Sequence, residues 1–298
     1  YYTETVYEDN RFVVYKNPHS FPLAYGTNSL VKNIQFGANN AFANQNIILN
    51  SMEGHQKNTG DYVEYFKPLA FTGIETENLI EEKVNKDTGE AIYRRADSSK
   101  EGIIRYKVIP QSNNTYYFFV PASLIPKQDY SVLVNNKWLP NSKTFTQRQI
   151  WQLTDMAENQ ESVIEFRFRT DTIDMSQAGV YRAELDQIQE VLEKRKQQGL
   201  KVTKFGNTHI EGNVTITDDS DVMMTSIPYS AGWQVKVDGQ SVPTERAWNS
   251  FLSFPITKGK HKVEFVFKTR GSLIGALLSI VAVVSLVIIR KRWKEEHS

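Results

Sequence analysis

Most apolar residues of the chain come in short runs bounded by Pro, Asn, Gly or Asp. They read RFVVY, FPLAY, YVEYF, GIIRYKVIP, TYYFFVP, YSVLVN and VIEFRFRT, then LKVTKF, HIEGNVTI, VMMTSIPY, WQVKV, SFLSFPI and HKVEFVF. Runs of this length, rich in β-branched and aromatic residues, predict strands. Alternation assigns their faces: Ile164, Phe166 and Phe168 share one side, Glu165, Arg167 and Arg169 the other. Trp233, Val235 and Val237 oppose Gln234 and Lys236 in the same way, and Asp238-Gly239 predicts a tight hairpin into Gln240 to Val242. Lys258-Gly259-Lys260 predicts another turn. Such spacing suits antiparallel sandwiches.

Helical periodicity comes in between Gly179 and Gln198, where Tyr181, Leu185, Ile188 and Leu192 form one stripe. The basic last turn Lys194, Arg195, Lys196 suits the negative end of the helix dipole, and Gly199 follows as a stop. Asn28 to Asn50 is rich in Asn and Gln and reads as a connector with a short helix. Glu81 to Lys100 is mostly polar and reads as a hairpin or loop, and Asn17-Pro18 as a break.

A different pattern closes the chain. Ser272 to Ile289, SLIGALLSIVAVVSLVII, carries no charge and has apolar residues all round. As a helix it would extend about 27 Å, nearly the hydrocarbon core of a bilayer, so it predicts a transmembrane helix. Arg290, Lys291, Arg292 and Lys294 crowd one end and Lys268 and Arg270 flank the other. The positive-inside bias then puts the C-terminus in the cytoplasm and residues 1–270 outside. Gly271, Gly275 and Ser279 follow a small-xxx-small pattern that would let upstream transmembrane helices approach closely.

The expected fold is mainly β: two β-sandwich, jelly-roll-like domains joined by a helix and followed by the transmembrane helix. The expected divisions are 1–46, a β and connector segment; 47–175, a sandwich; 176–199, the linking helix; 200–269, a small membrane-proximal β domain; 270–290, the membrane helix; and 291–298, a cytoplasmic tail.

Charge and composition then narrow the function. Before Gly271 there are 31 Lys and Arg against 32 Asp and Glu, so nothing resembles the basic footprint of a nucleic-acid binder. The chain has no cysteine, which for an outward-facing protein fits a bacterial surface better than a eukaryotic ectodomain, and makes the sequons at Asn113 and Asn213 accidental. It opens YYTETVYEDN, without a signal-like apolar segment, so its export is expected to depend on something upstream.

Candidate chemistry is sparse. His19, His55, His209, His261 and His297 are scattered, and no metal site is expected from them. Asp218, Asp219 and Asp221 lack the spacing of a calcium loop and read as a solvated turn. There is no Gly-x-Ser-x-Gly elbow and no Gly-rich phosphate loop, so no catalytic residue and no cofactor is assigned. Aromatics are the better lead, because a Trp or Tyr face stacks on a sugar ring while its polar edge stays free. Among Trp138, Trp151, Trp233 and Trp248, Trp233 begins an alternating apolar face and reads as core. Trp248, amid polar neighbours, and Trp151 are the candidate carbohydrate-binding residues.

The stretches TSIPYSAGWQVKVDGQSV and FLSFPITKGKHKVEFVF, followed by an apolar helix and a basic tail, resemble the C-terminal end of the YfhO family of bacterial multi-spanning membrane proteins. GLKVTKFGNTHIEGNV and the opening VYKNPHSFPLAYG are similar to it as well. The resemblance implies a GT-C type glycosyltransferase that moves a sugar from a polyprenyl-phosphate carrier to an outer acceptor, often lipoteichoic acid. It also implies that the catalytic carboxylate belongs to a membrane half outside this chain. The expected partners are therefore membrane lipid, upstream transmembrane helices, and a lipid-linked sugar with a teichoic-acid-like acceptor met through the whole protein. The alternative is a membrane-anchored surface binding or adhesion protein.

Overall fold

The computed structural model describes residues 4–17, 20–37, 40–85, 90–120, 130–139, 150–269 and 271–296, with backbone only at 90, 272–274 and 294–296. Pro18, His19, Arg270, His297 and the tip of the polar insert lie outside them. The chain divides into two compact units: Ile34–Glu193, and a split unit made of Tyr1–Asn33 with Lys194–Ser298.

Ile34–Glu193 is built on antiparallel sheets. One has the strand order Lys137–Trp138, Tyr130–Val134, Ser162–Phe168, Gly102–Val108, Gly73–Glu77; another runs Ile150–Leu153, Thr115–Phe119, Gly179–Ala183, Phe66–Leu69. Their inner faces share one core, in which Ile104, Phe166 and Val132 of the first meet Tyr116, Phe118 and Val180 of the second. The alternation read from the sequence is realised here. Ile164, Phe166 and Phe168 are buried, while Glu165 on the other face takes Arg105 at 2.5 Å and Arg167 at 2.6 Å. The polar insert forms a hairpin, Leu79–Asn85 with Glu90–Arg95, and Thr172–Asp174 adds to it.

The Asn-rich connector contains a full helix, α1 (Ala41–Glu53). Asn40 caps it, accepting from the N–H groups of Phe42 and Ala43, and Gly54 ends it at φ 87°. Asn46 and Asn50, one turn apart, face the chain entering the strand Phe66–Leu69. Asn46 accepts from the Phe66 N–H at 2.8 Å and donates to its carbonyl at 3.0 Å; Asn50 does the same for Val63 at 2.8 and 2.7 Å. Two side-chain amides thus replace a strand partner.

The expected helix from Gly179 is shorter. Gly179–Ala183 is a strand paired with Thr115–Phe119 and Phe66–Leu69, and the helix α2 is Leu185–Gln197. Tyr181 therefore leaves the predicted stripe: its ring stacks on Phe42 at 4.5 Å and its hydroxyl accepts from Asn40 at 2.7 Å. Val180 and Ala183 are buried by strand pairing, and local periodicity could not register this long-range gain.

The split unit is a sandwich of its own. Its five-stranded sheet has the order Lys201–Phe205, His209–Ile216, Gly259–Phe267, Trp233–Val237, Gln240–Val242. Its four-stranded sheet has the order Glu245–Ala247, Phe251–Pro255, Val222–Pro228, Ala24–Thr27. The N-terminal strand Ala24–Thr27 thus completes a sheet whose other strands lie near the opposite end of the sequence. Ile210, Val235, Val263 and Phe265 pack against Met223, Leu252 and Phe254. Asp238 and Gly239 adopt φ 52° and 83°, as the hairpin turn requires.

A clasp at the start of the split unit's second segment holds these pieces. Arg195, buried at the end of α2, donates to Asp218 at 2.8 Å, to the Ser220 hydroxyl at 2.9 Å and to the Gly26 carbonyl at 3.2 Å. Within the DDSD run Asp218 is therefore an ion-paired bracket, while Asp219 and Asp221 are exposed as in a solvated turn. Burial pushes the Asp218 carboxyl up, but the Ser220 hydroxyl and N–H, the Gln198 side chain and the Arg195 guanidinium outweigh it and hold it at about 2.

The last element is the helix α3 (Ser272–Glu296). A helix stands where a membrane-crossing one was expected, and its apolar side chains from Leu277 to Ile289 are exposed. Over the described residues, however, no helix is long and apolar enough to cross a membrane.

Candidate functional site

The strands Glu245–Ala247 and Phe251–Pro255 pair with Ala247 opposite Phe251, leaving Trp248, Asn249 and Ser250 to make the turn. Trp248 and Asn249 both take positive φ, 45° and 59°. Asn tolerates this region, but a bulky residue there costs on the order of 1–2 kcal/mol, so the surroundings must hold it. They do so on several sides. The Trp248 N–H donates to the Val31 carbonyl at 2.8 Å, the Ser250 N–H to Ala247 at 3.0 Å, and the Tyr229 N–H to Ser250 at 2.8 Å. Lys32 pairs with Glu245 at 2.8 Å.

Two ring contacts lie around this turn. The Trp248 ring meets Phe251 edge to face at 6.4 Å, and the Arg246 guanidinium lies 4.9 Å over the Tyr229 ring. Trp248 and Tyr229 are half-buried; Arg246, Asn249 and Ser250 are exposed. Aromatic faces beside a guanidinium, an amide and a hydroxyl are the groups that stack on a sugar ring and bond its hydroxyls. Tyr229 was missed by sequence reasoning, and Arg246 entered it only as a polar neighbour of Trp248. They are far apart in the chain and meet only through strand register, which leaves no local signal.

Register also places the turn. Pro228 lies opposite Phe251, and Trp233, just past a short connection, lies opposite Phe267. Tyr229, Trp248, Phe251, Trp233 and Phe267 therefore occupy one end of the split sandwich. From that end the chain leaves through Lys268 toward α3, with the Lys268 N–H bonded to Gly232 at 2.9 Å. The opposite end carries Ile216 against Gly259, and the Asp238 turn.

The other candidate, Trp151, lies in the core of Ile34–Glu193. It is 3 % exposed, stacked on Phe118 at 6.3 Å and edged by Tyr130 at 5.9 Å. Burial removes both its faces from any sugar, so the structure turns this candidate into a packing residue. Trp233 packs on Phe267 at 5.1 Å, and Trp138 is exposed. His209 stands 3.1 Å from both Glu211 and Glu264, and His261 2.7 Å from Asp238. Among the described residues, no group of three or more such side chains is placed to hold a metal ion.

Comparison with known proteins decides the family. The family described as bacterial membrane protein YfhO matches residues 1–279. The chain belongs to the YfhO family. A curated relative, the uncharacterized protein YfhO of Bacillus subtilis strain 168, is 21% identical over 123 residues, 41% of this chain. The match covers 14% of that relative's length. Among solved structures, the CBM32-1, CBM32-2 and M60 catalytic domains of Clostridium perfringens ZmpB align over 72% of this chain and 38% of theirs, at 8% identity and a TM-score of 0.28. An anti-sigma factor domain-containing protein from Clostridium clariflavum aligns over 65% of this chain and 88% of its own, at 9% identity and 0.20. Likenesses at this level carry no argument. The YfhO assignment bears out the resemblance seen in the sequence and makes this a chain of a membrane-protein family.

Proposed function

We propose that this chain is the extracytoplasmic C-terminal part of a membrane glycosyltransferase, and that its Trp248 turn places a cell-envelope acceptor such as lipoteichoic acid beside a polyprenyl-phosphate sugar. In such a transfer an acceptor hydroxyl oxygen bonds to the anomeric carbon as the carbon–phosphate oxygen bond breaks. Polyprenyl phosphate leaves, and the hydroxyl proton passes to a base in the membrane half. The role of this chain is positioning, which lowers the barrier by holding the reacting groups together.

The observation that carries this reading is that the aromatic turn and the exit toward α3 share one end of one sandwich. The complete uncharged run, Ser272 to Ile289, supports α3 as the membrane anchor, and the cations from Arg290 support a cytoplasmic C-terminus. A sugar held by Trp248, Tyr229, Arg246 and Asn249 would then lie close to the lipid surface where the donor resides.

The test compares the whole protein, the membrane half lacking this portion, and this portion alone, each with lipid-linked donor and acceptor. Transfer by the whole protein only is expected. Equal transfer by the membrane half, or donor turnover by this portion, would overturn the reading. A C-terminal tag removed by protease from intact cells would overturn the topology.

A further inference from the structure

Phe205 is 73 % exposed, more than any other described large hydrophobic side chain. It ends the edge strand Lys201–Phe205, and Gly206, Asn207 and Thr208 turn the chain back into His209–Ile216. The whole edge strand is exposed, with Lys201 and Lys204 flanking Val202 and a bulge between Val202 and Lys204. Lysines and a bulge are how a free edge resists pairing with another strand. They explain the strand but not an outward phenylalanine at its tip.

Position supplies the missing reason. Phe205 opposes Ile210, His209 opposes Val266, and the Phe267 N–H donates to the Thr208 carbonyl at 2.8 Å. Phe205 is thus at the end of the sheet from which the chain exits, two strand spacings, or about 10 Å, from the exit strand. From Phe267 to Ser272 the chain can extend at most about 17 Å. The exposed Lys268 lies at the same end as Lys204, whose exposed ammonium also stands 3.6 Å from Glu211. An apolar ring with nearby lysines, tethered this closely to α3, has the composition of an interfacial contact: the ring enters the headgroup and acyl boundary and the cations meet anionic lipid.

We propose that the Phe205–Thr208 turn is a membrane-surface contact of this chain, in which Phe205 enters the headgroup layer of a bilayer containing anionic lipid. This rests on α3 crossing the membrane. It gives the sandwich a second attachment that restricts its tilt and keeps the Trp248 end turned toward the lipid.

The absence of native cysteine makes a clean test. The full chain is reconstituted into phosphatidylcholine and phosphatidylglycerol vesicles with one nitroxide at a time, at Phe205→Cys, Asn207→Cys, Lys260→Cys at the far end of the same sheet, or Val283→Cys in α3. Each label is probed by oxygen, which concentrates in lipid, and by a water-soluble nickel chelate. The expected result is Val283 reached by oxygen alone, Lys260 reached freely by nickel, and Phe205 and Asn207 severalfold less accessible to nickel than Lys260 with a matching gain for oxygen. If Val283 is in lipid while both turn labels match Lys260, the surface contact is overturned and the span stands. If Val283 itself is reached by nickel, the span and the contact fall together. A turn label shielded from both probes and broadened by a second label would show contact with another copy and overturn the lipid assignment.

Discussion

Trp233 lies opposite Phe267 across an antiparallel pair, with the rings 5.1 Å apart, and the residue before Trp233 is a glycine with no room for a side chain. A Cβ at Gly232 would sit 2.7 Å from a Phe267 ring atom and 2.8 Å from the Lys268 carbonyl oxygen. The ring could rotate away, but the backbone oxygen could not. Gly232→Ala is expected to cost about 1–3 kcal/mol and to speed amide exchange in Gly259–Phe267, whereas the exposed Ala231→Ser should change neither. Hydrogen exchange of the two variants checks this.

The Arg195–Asp218 clasp predicts an acid limb in the stability curve. The folded carboxyl titrates at about 2 against an ordinary 3.8, so its contribution is fully present above about pH 4 and is lost as pH falls through 2. With 30% of the Asp218 side chain exposed, solvent screening reduces this contribution to about 1 kcal/mol. Asp218→Asn should flatten the curve in that window. At neutral pH it should cost about 2 kcal/mol, because the buried guanidinium loses its counter-charge. Denaturation followed from pH 5 to pH 2 for the two proteins measures both effects.

Asn46 and Asn50 make a comparable prediction for Ile34–Glu193. Replacing either by Leu keeps the volume but strands a backbone N–H and a carbonyl, so each variant should lose about 1–3 kcal/mol. Exchange at Val63 and Phe66 should rise first, which separates this from a general loss of packing.

Several strands were legible because their apolar and polar residues alternate with period 2, which burial follows most closely in His209–Ile216. α1 was legible only as a short helix inside a connector, because the face it buries mixes Phe42 and Leu49 with Asn46 and Asn50, so polar residues stand where a stripe should be apolar. Gly179–Ala183 was hidden for the opposite reason: Tyr181 happened to continue the stripe of α2. The N-terminal strand Ala24–Thr27 could be recognised as a strand, but its partner Val222–Pro228 is set by a pairing that no window of sequence contains. Of the site, Trp248 could be chosen from its polar neighbours, while its positive φ and its company with Tyr229 and Arg246 came only from register.

Trp151 and Trp248 should separate stability from function. Trp151→Ala removes a ring from a closed core and is expected to cost about 3–5 kcal/mol. Trp248→Ala, half-buried on a turn held by main-chain bonds, should shift the melting midpoint far less. Thermal melts of the two variants decide whether each ring serves packing or the surface.

The most direct measurement is an acceptor titration of the whole protein with Trp248→Ala at saturating lipid-linked donor. If the turn positions the acceptor, acceptor KM should rise about tenfold, the loss of one stacking contact worth about 1.4 kcal/mol, with donor KM unchanged and the fold intact. Unchanged acceptor kinetics in the folded Trp248→Ala and Tyr229→Ala variants would contradict it.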